Sequence, residues 1–233
     1  LSMQTKSEVQ QGWEFAAAIM GADVGAHMGT EYVSAVEAAI KQLEDNINNH
    51  QYRNLGSGQL QGYMFEEWEA GTFNVDAVAA DSADRAAVLH STAKDSVDIH
   101  LKSGTDYSAK SYGTAEQTAR AQARFNPDTG QASYQGQGRL VPSDQLDTAK
   151  QTAHREALRN EPIREDVSKA YDETELRLTD KLANDEGVES RSASRKDLEK
   201  MAKESKKQEF KAEEHGATAE GAIKTKYLLK QAL

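Results

Sequence analysis

The chain has 233 residues, with 38 acidic against 28 basic side chains, so its formal net charge is −10. This charge argues against general electrostatic attraction to nucleic acid or to anionic lipid, and leaves only a local basic surface for such contacts. There is no cysteine, which excludes disulfide bonds and thiolate metal sites and fits a reducing interior, so we expect a cytoplasmic protein.

The sequence divides into an N-terminal helical region, 1–55, a β-containing core, 56–142, and a C-terminal helical region, 143–233. No apolar run approaches the roughly 18 residues of a membrane span, so no membrane segment is expected in this chain. The chain starts at Leu1 rather than Met, and its last predicted helix is still running at Leu233. We therefore expect a piece of a longer protein.

In the first region, the glycine-rich segment 21–29 is predicted to be a flexible joint. It separates an apolar stretch at 13–20 from a helix that begins near Thr30. That helix carries an apolar stripe from Tyr32 to Leu43, at the spacing of a helix face packed on a core. Both tryptophans of the chain, Trp13 and Trp68, are predicted to be core or interface anchors.

The second region is predicted to begin with a helix through 60–68 and a further helix over 77–89. A capping-box spacing at Thr114 predicts the start of another helix, which continues to about Arg124. The glycine-interrupted segment 134–139 is predicted to be a flap or binding loop.

Between these helices, residues 97–112 are predicted to form a β-hairpin, and here the sequence indicates chemistry. Apolar and polar residues alternate over 97–102, as in a half-buried strand, and Gly104 supplies the positive φ of a tight reversal. A loop at 103–105 is expected.

With that loop, Asp98 is predicted to lie directly opposite Lys110, and His100 opposite Ser108. Directly opposed Cβ atoms are about 5 Å apart in a β-ladder. A carboxylate and an ammonium held so close form either an ordinary ion pair or half of a metal-dependent hydrolytic site.

The third region is predicted to contain helices at 144–159, 164–183, 195–210 and 217–232. The helix at 195–210 has few large apolar residues and is predicted to be loosely held unless a protein partner docks on it. Between 191 and 230, eleven basic residues stand against seven acidic ones, so this stretch is either a solvated face with (i, i+4) pairs or a nucleic-acid surface.

The order of elements around the hairpin resembles the core of the restriction-endonuclease-like, or PD-(D/E)xK, nuclease superfamily. The resemblance covers residues 60–125. It rests on a helix with Glu66 after an aromatic residue, a strand with Asp98 after an apolar residue, a turn, a strand in which Lys110 follows two residues after Ser108, and a further helix.

The resemblance implies a Mg²⁺ site with Asp98 and Glu66 as ligands, Glu67 as the alternate to Glu66, and Lys110 as the cation that orients the attacking water. The sequence departs from the family at Ser108, where Glu or Gln is usual, because a serine hydroxyl is a weaker ligand for a hard divalent cation. It also lacks the family's Pro-Asp at the strand aspartate, because Val97 precedes Asp98. The site is therefore an active nuclease centre, a degenerate one, or a plain cross-strand ion pair.

We predict a mainly helical α+β protein with a small central β-hairpin or sheet flanked by helices. Two functions stay open. The first is a Mg²⁺-dependent nuclease-like protein of a bacterial mobile-element, defence or toxin system, with catalytic residues Lys110, Asp98 and Glu66. The second is a non-enzymatic helical scaffold or adaptor whose C-terminal helices bind a protein. The six histidines show no ligand spacing and are predicted to lie at the surface.

Overall fold

The computed structural model describes residues 26–91, 93, 95–126 and 129–224. The predicted apolar stretch at 13–20, with Trp13, and the second half of the predicted helix at 217–232 lie outside the described residues. The mainly helical α+β fold predicted from the sequence is confirmed. No helix in the described part of the chain is long and apolar enough to cross a membrane.

The helices are, in chain order, α1 (Ala26–Asn48), α2 (Ser57–Ala79), α3 (Ala115–Gln122), α4 (Leu146–Asn160), α5 (Glu165–Arg177) and α6 (Arg195–Lys207). The strands are β1 (Ala86–Val88), β2 (Ile99–Leu101), β3 (Asp106–Ala109), β4 (Phe125–Asn126), β5 (Gln131–Ala132), β6 (Gly138–Leu140) and β7 (Leu178–Thr179). Residues 26–29 are already helical, so the predicted flexible joint does not extend through them and the helix start near Thr30 is wrong.

The central sheet is mixed and has five strands in the order β1-β2-β3-β6-β7. β1, β2 and β3 are antiparallel neighbours, whereas β3, β6 and β7 run parallel. The crossover from β3 to β6 contains α3 and the small β4–β5 hairpin, and the crossover from β6 to β7 contains α4 and α5. The predicted hairpin is therefore the middle of a larger sheet.

Helices cover both faces of this sheet. Ile99 and Leu101 are fully buried in a core that they share with α1, α2 and α6. Val141 and Leu178 are buried in a second core with α3 and α4. Successive strand residues point to opposite faces of the sheet. Ser108 lies between Tyr107 and Ala109 of the first core, so its side chain points towards the second core.

Two strands occupy segments that the sequence analysis assigned to helices. The predicted helix over 77–89 ends at Ala79, and Asp81 takes a positive φ of 58° before β1 begins. The predicted helix over 164–183 ends at Arg177, where β7 starts. Alanine-rich or charged stretches favour helices by propensity, but pairing with neighbouring strands overrides that preference here.

Helix α6 is firmly packed, and the prediction of a loosely held helix at 195–210 is wrong. Leu198 and Met201 are buried in the main core, as is Phe210 just beyond the helix. Ser205 Oγ donates a hydrogen bond to the carbonyl of Ile47 at 2.6 Å, inside the protein. A few apolar side chains suffice because all of them lie on one stripe facing α1 and α2.

Candidate functional site

Asp98 and Lys110 form a partly buried ion pair at one end of the hairpin. Lys110 Nζ lies 2.6 Å from Asp98 Oδ2, and the two side chains keep 19% and 14% of their surface exposed. Asp98 Oδ2 also accepts a hydrogen bond from the Ala109 amide at 2.8 Å. Burial is the largest effect on the pKa of Lys110 and acts to lower it, but Asp98, Tyr134 and Glu66 together outweigh it. The pKa is therefore raised, and Lys110 is charged at neutral pH.

The predicted register of the hairpin is wrong by two residues. Ile99 pairs with Tyr107 and His100 pairs with Asp106, so Asp98 is not directly opposite Lys110 and His100 is not opposite Ser108. The reason is Gly104, which has a φ of 104° and must occupy the last, left-handed position of a three-residue loop rather than its centre. The ion pair still forms because the long lysine side chain reaches back to Asp98.

Glu66 on α2 lies beside this pair. Burial raises the pKa of Glu66 to about 8; the Asp98 carboxylate adds to the increase, and the Lys110 ammonium opposes it. Glu66 and Asp98 line the same cleft, and Asp98 holds Lys110 beside it. The carboxyl of Glu66 is therefore largely protonated at neutral pH in the free protein.

A cleft of about 340 Å³ opens where α2 meets the end of β2. Its lining contains both carboxyl groups, Glu66 and Asp98, together with His90. The other lining residues are Leu55, Gln59, Gly62, Tyr63 and Ser91. Two acidic groups thus face a space large enough for a hydrated ion and part of a substrate.

Ser108 is fully buried on the opposite face of the sheet from the main core. Its hydroxyl donates a hydrogen bond to Gln122 Oε1 of α3 at 2.6 Å, and Gln122 Nε2 donates to the carbonyls of Ser108 and Leu140. The structure therefore does not bring Ser108 into the cleft with Glu66 and Asp98, and its hydroxyl proton is donated to the side-chain oxygen of Gln122.

Tyr134 completes the surroundings of Lys110, and the sequence analysis missed it. Lys110 Nζ lies 4.9 Å from the centroid of the Tyr134 ring, a cation–π contact. Tyr134 is only 8% exposed and has a φ of 57°, a backbone conformation that few non-glycine residues adopt. It belongs to the segment predicted to be a flap, so that segment packs on the candidate site at this point.

No protein-family model matches the chain, and none of the curated proteins or solved structures matches it either.

Glu67 points away from the cleft, although it is the neighbour of Glu66. Its Oε2 accepts a hydrogen bond from Asn46 Nδ2 at 3.1 Å, and its side chain is 5% exposed. Successive helical residues are turned by about 100° about the helix axis, so the two carboxyl groups point to different places. Glu66 lines the cleft, and Glu67 points towards Asn46 of α1. Glu67 is therefore not the alternate to Glu66, contrary to the sequence analysis.

The prediction that the histidines lie at the surface is wrong for His50 and His215, whose side chains are 3% and 4% exposed. Burial and the neighbouring His90 lower the pKa of His50 to about 4, so this ring is neutral at pH 7. Sequence reasoning missed this residue because its neighbours Glu67 and His90 are distant in sequence.

Proposed function

We propose that this protein is a Mg²⁺-dependent, nuclease-like phosphodiesterase whose site is formed by Glu66, Asp98 and Lys110. One observation carries the proposal: the Glu66 carboxyl of α2 and the Asp98 carboxylate just before β2 line one cleft, and Lys110, just after β3, is paired with Asp98. The resemblance to the PD-(D/E)xK superfamily supports it, because the order of helix, strands and helix is the order on which the resemblance rests.

The carboxyl groups suit a hard cation. Both hydrogen bonds that the Asp98 carboxylate receives from described residues fall on Oδ2, which leaves Oδ1 for an ion. Glu66 would give up its proton to become the second ligand. A bound Mg²⁺ would neutralise part of the phosphate charge and would lower the pKa of a water molecule bound to it.

Lys110 has a separate task. Its ammonium has three protons, of which one bonds Asp98 Oδ2 and another the Ala109 carbonyl at 3.0 Å. The third can be donated to the attacking water or to a phosphate oxygen. The ring of Tyr134 and the Asp98 carboxylate fix the position of Nζ, so that this donor is already oriented.

Because the Ser108 hydroxyl is bonded to Gln122, it does not supply a further ligand. The proposed site therefore has two protein ligands, the carboxylates of Glu66 and Asp98. We therefore propose weak, millimolar binding of Mg²⁺ that substrate phosphates strengthen. The setting we propose is a bacterial mobile-element, defence or toxin system, which follows from the superfamily resemblance alone. A cytoplasmic location is proposed from the absence of cysteine. Nucleic acid would approach through a local basic surface, since the chain as a whole is acidic.

The test is a nuclease assay with Mg²⁺ and with Mn²⁺ on single- and double-stranded DNA and RNA. Lys110→Ala and Asp98→Asn should each lower cleavage by at least 100-fold, because they remove groups that act on developing charge. Lys102→Ala, in the exposed hairpin loop, is the matched control and should cleave like the wild type. A folded wild type that cleaves none of these substrates would refute the enzymatic proposal.

A second function is favoured by exposed apolar side chains on the C-terminal helices. Leu158, Ile163 and Leu176 are 58%, 79% and 85% exposed. Leu158 lies on α4, Leu176 on α5 and Ile163 in the turn between them. Such large apolar groups left in water are suited to a protein partner, as in the scaffold or adaptor hypothesis. Leu158→Asp should abolish such binding in a pull-down while leaving nuclease activity unchanged.

A further inference from the structure

His50, Glu67 and His90 converge although they are far apart in sequence. His50 follows the end of α1, Glu67 lies on α2, and His90 follows β1. His90 Nε2 lies 3.4 Å from Glu67 Oε1, and His50 Nε2 lies 3.8 Å from the same oxygen. One nitrogen or oxygen of each residue falls within 4.8 Å of the others.

These separations are close to those of a filled metal site. With zinc–nitrogen and zinc–oxygen bonds of about 2.0–2.1 Å, ligand atoms at tetrahedral angles are about 3.3 Å apart. The observed 3.4 and 3.8 Å distances to Glu67 Oε1 therefore require movements of only a few tenths of an ångström. The third pair, the ligand nitrogens of His50 and His90, lies within 4.8 Å and would close by up to about 1.5 Å. The cluster has two imidazoles and one carboxylate, a three-ligand set that leaves a fourth position for water.

The environment of the cluster indicates a missing ligand. The whole residue His50 is 5% exposed, and its Nε2 has no hydrogen-bond partner among the described residues. An unpaired polar atom inside a protein is costly. Glu67 Oε2 is held by Asn46, so that Oε1 is the oxygen presented to the two imidazoles. Once the ring proton has moved to Nδ1, a metal ion between His50 Nε2 and the Glu67 oxygen would satisfy both atoms.

His90 provides the accessible side of the cluster. Its side chain is 34% exposed and lines the clefts on both sides of α2. Its φ of 48° is a conformation that histidine adopts uncommonly, and such residues are concentrated at ligand sites. An ion and its water could therefore enter from solvent at this residue.

We propose that His50 Nε2, Glu67 Oε1 and His90 Nε2 bind a divalent transition-metal ion of the zinc class, at a site that uses neither Glu66 nor Asp98 but adjoins their cleft at His90. Imidazole nitrogen favours zinc and its neighbours in the first transition row, whereas Mg²⁺ favours oxygen alone. The site joins the end of α1, α2 and the segment after β1. It does not depend on the nuclease proposal, because none of its ligands takes part in that mechanism.

Metal binding at Nε2 would change the tautomer of the His50 ring. The Tyr52 amide donates a hydrogen bond to His50 Nδ1 at 3.2 Å, so the neutral ring carries its proton on Nε2 in the free protein. When Nε2 binds the ion, that proton must move to Nδ1, and the bond from Tyr52 is lost. Tyr52 lies in a turn, where its amide can rotate towards water.

The experiment is a Zn²⁺ titration of the full chain after chelator treatment, in competition with a chromophoric chelator. We expect one ion per chain, a rise in Tm on loading, and no competition by a large excess of Mg²⁺. His90→Gln, at a partly exposed position, should weaken binding by on the order of 100-fold. His100→Gln, which removes a histidine paired with Asp106 elsewhere on the sheet, and Asp98→Asn should leave Zn²⁺ binding unchanged.

The His50 ring gives a second readout that needs no variant. Nitrogen NMR of the histidine rings should show the His50 proton moving from Nε2 to Nδ1 on addition of Zn²⁺. Equal affinity of the wild type and His90→Gln, displacement by Mg²⁺, or an unchanged His50 tautomer in the loaded protein would overturn the proposal. The cluster would then be a buried histidine–carboxylate contact without a metal role.

Discussion

The Ser108 hydroxyl and the Gln122 side-chain oxygen are joined by a 2.6 Å hydrogen bond, and neither side chain has any exposed surface. Gln122 also bonds the carbonyls of Ser108 and Leu140, and thereby ties α3 to β3 and β6. At position 108, where the nuclease resemblance expects a carboxylate, the serine hydroxyl is thus part of a hydrogen-bond network that holds α3 on the sheet.

We expect Ser108→Glu alone to destabilise the protein by about 2–4 kcal/mol, because it forces a larger, acidic side chain against the Gln122 oxygen in a fully buried space. Ser108→Glu combined with Gln122→Ser should recover part of this loss, and neither variant should bind Mg²⁺ more tightly than the wild type, because position 108 lies outside the cleft. Urea denaturation with and without Mg²⁺ measures both effects. Ser108→Ala is the control and should cost about 1 kcal/mol.

Lys110→Ala should lower the free energy of unfolding by about 1–3 kcal/mol, since it leaves the largely buried Asp98 carboxylate without its cation. The double variant Asp98→Asn, Lys110→Ala should be more stable than Lys110→Ala, because the unpaired charge is gone. Lys102→Ala should change stability by less than about 0.5 kcal/mol. If Lys110→Ala is as mild as Lys102→Ala in urea denaturation, the pair contributes nothing to stability.

The pKa of about 8 at Glu66 makes the stability of the metal-free protein depend on pH. Between its unfolded value of about 4.5 and 8, the native state binds the proton more tightly than the unfolded state, so stability falls as pH rises. Glu66→Gln should therefore gain stability over the wild type by up to about 1.4 kcal/mol per pH unit across this window.

The measurement is urea denaturation with chelator present at several pH values from 5 to 9. Glu161→Gln, at an exposed position, is the control for the loss of a carboxyl group at the surface. A constant difference for Glu66→Gln would contradict the raised pKa. In the function proposed here, Mg²⁺ binding should also tighten with pH up to about 8, because Glu66 must release its proton.

Hydrogen exchange should show α6 to be among the slowly exchanging parts of the protein. Its apolar stripe is buried in the main core, and Ser194 and Asp197 form a capping box at its start. Ser194→Ala should cost about 1 kcal/mol and speed exchange in the first turn. Exchange of α6 amides on the timescale of exposed turns would contradict this packing.

The sequence predicted correctly that Asp98 and Lys110 lie close together, but it did not predict the register of the two strands that bring them together. The alternation around Asp98 and the capping residue Thr114 are local signals, and both elements form where they were expected. The register needed the left-handed position of Gly104, and β1 needed a partner strand more than ten residues away. His50 and His90 are 40 residues apart, and only the packing of three elements brings them together.

The ion pair of Asp98 with Lys110 and the proton on Glu66 make the metal-free cleft electrically neutral. Loading one Mg²⁺ and releasing that proton would change the three residues and the ion to a net charge of about +1, which matches a single phosphodiester. An acidic protein would then present an attractive surface to a polyanion only after the ion has bound. Metal concentration would thus govern when nucleic acid is held, as well as whether it is cut.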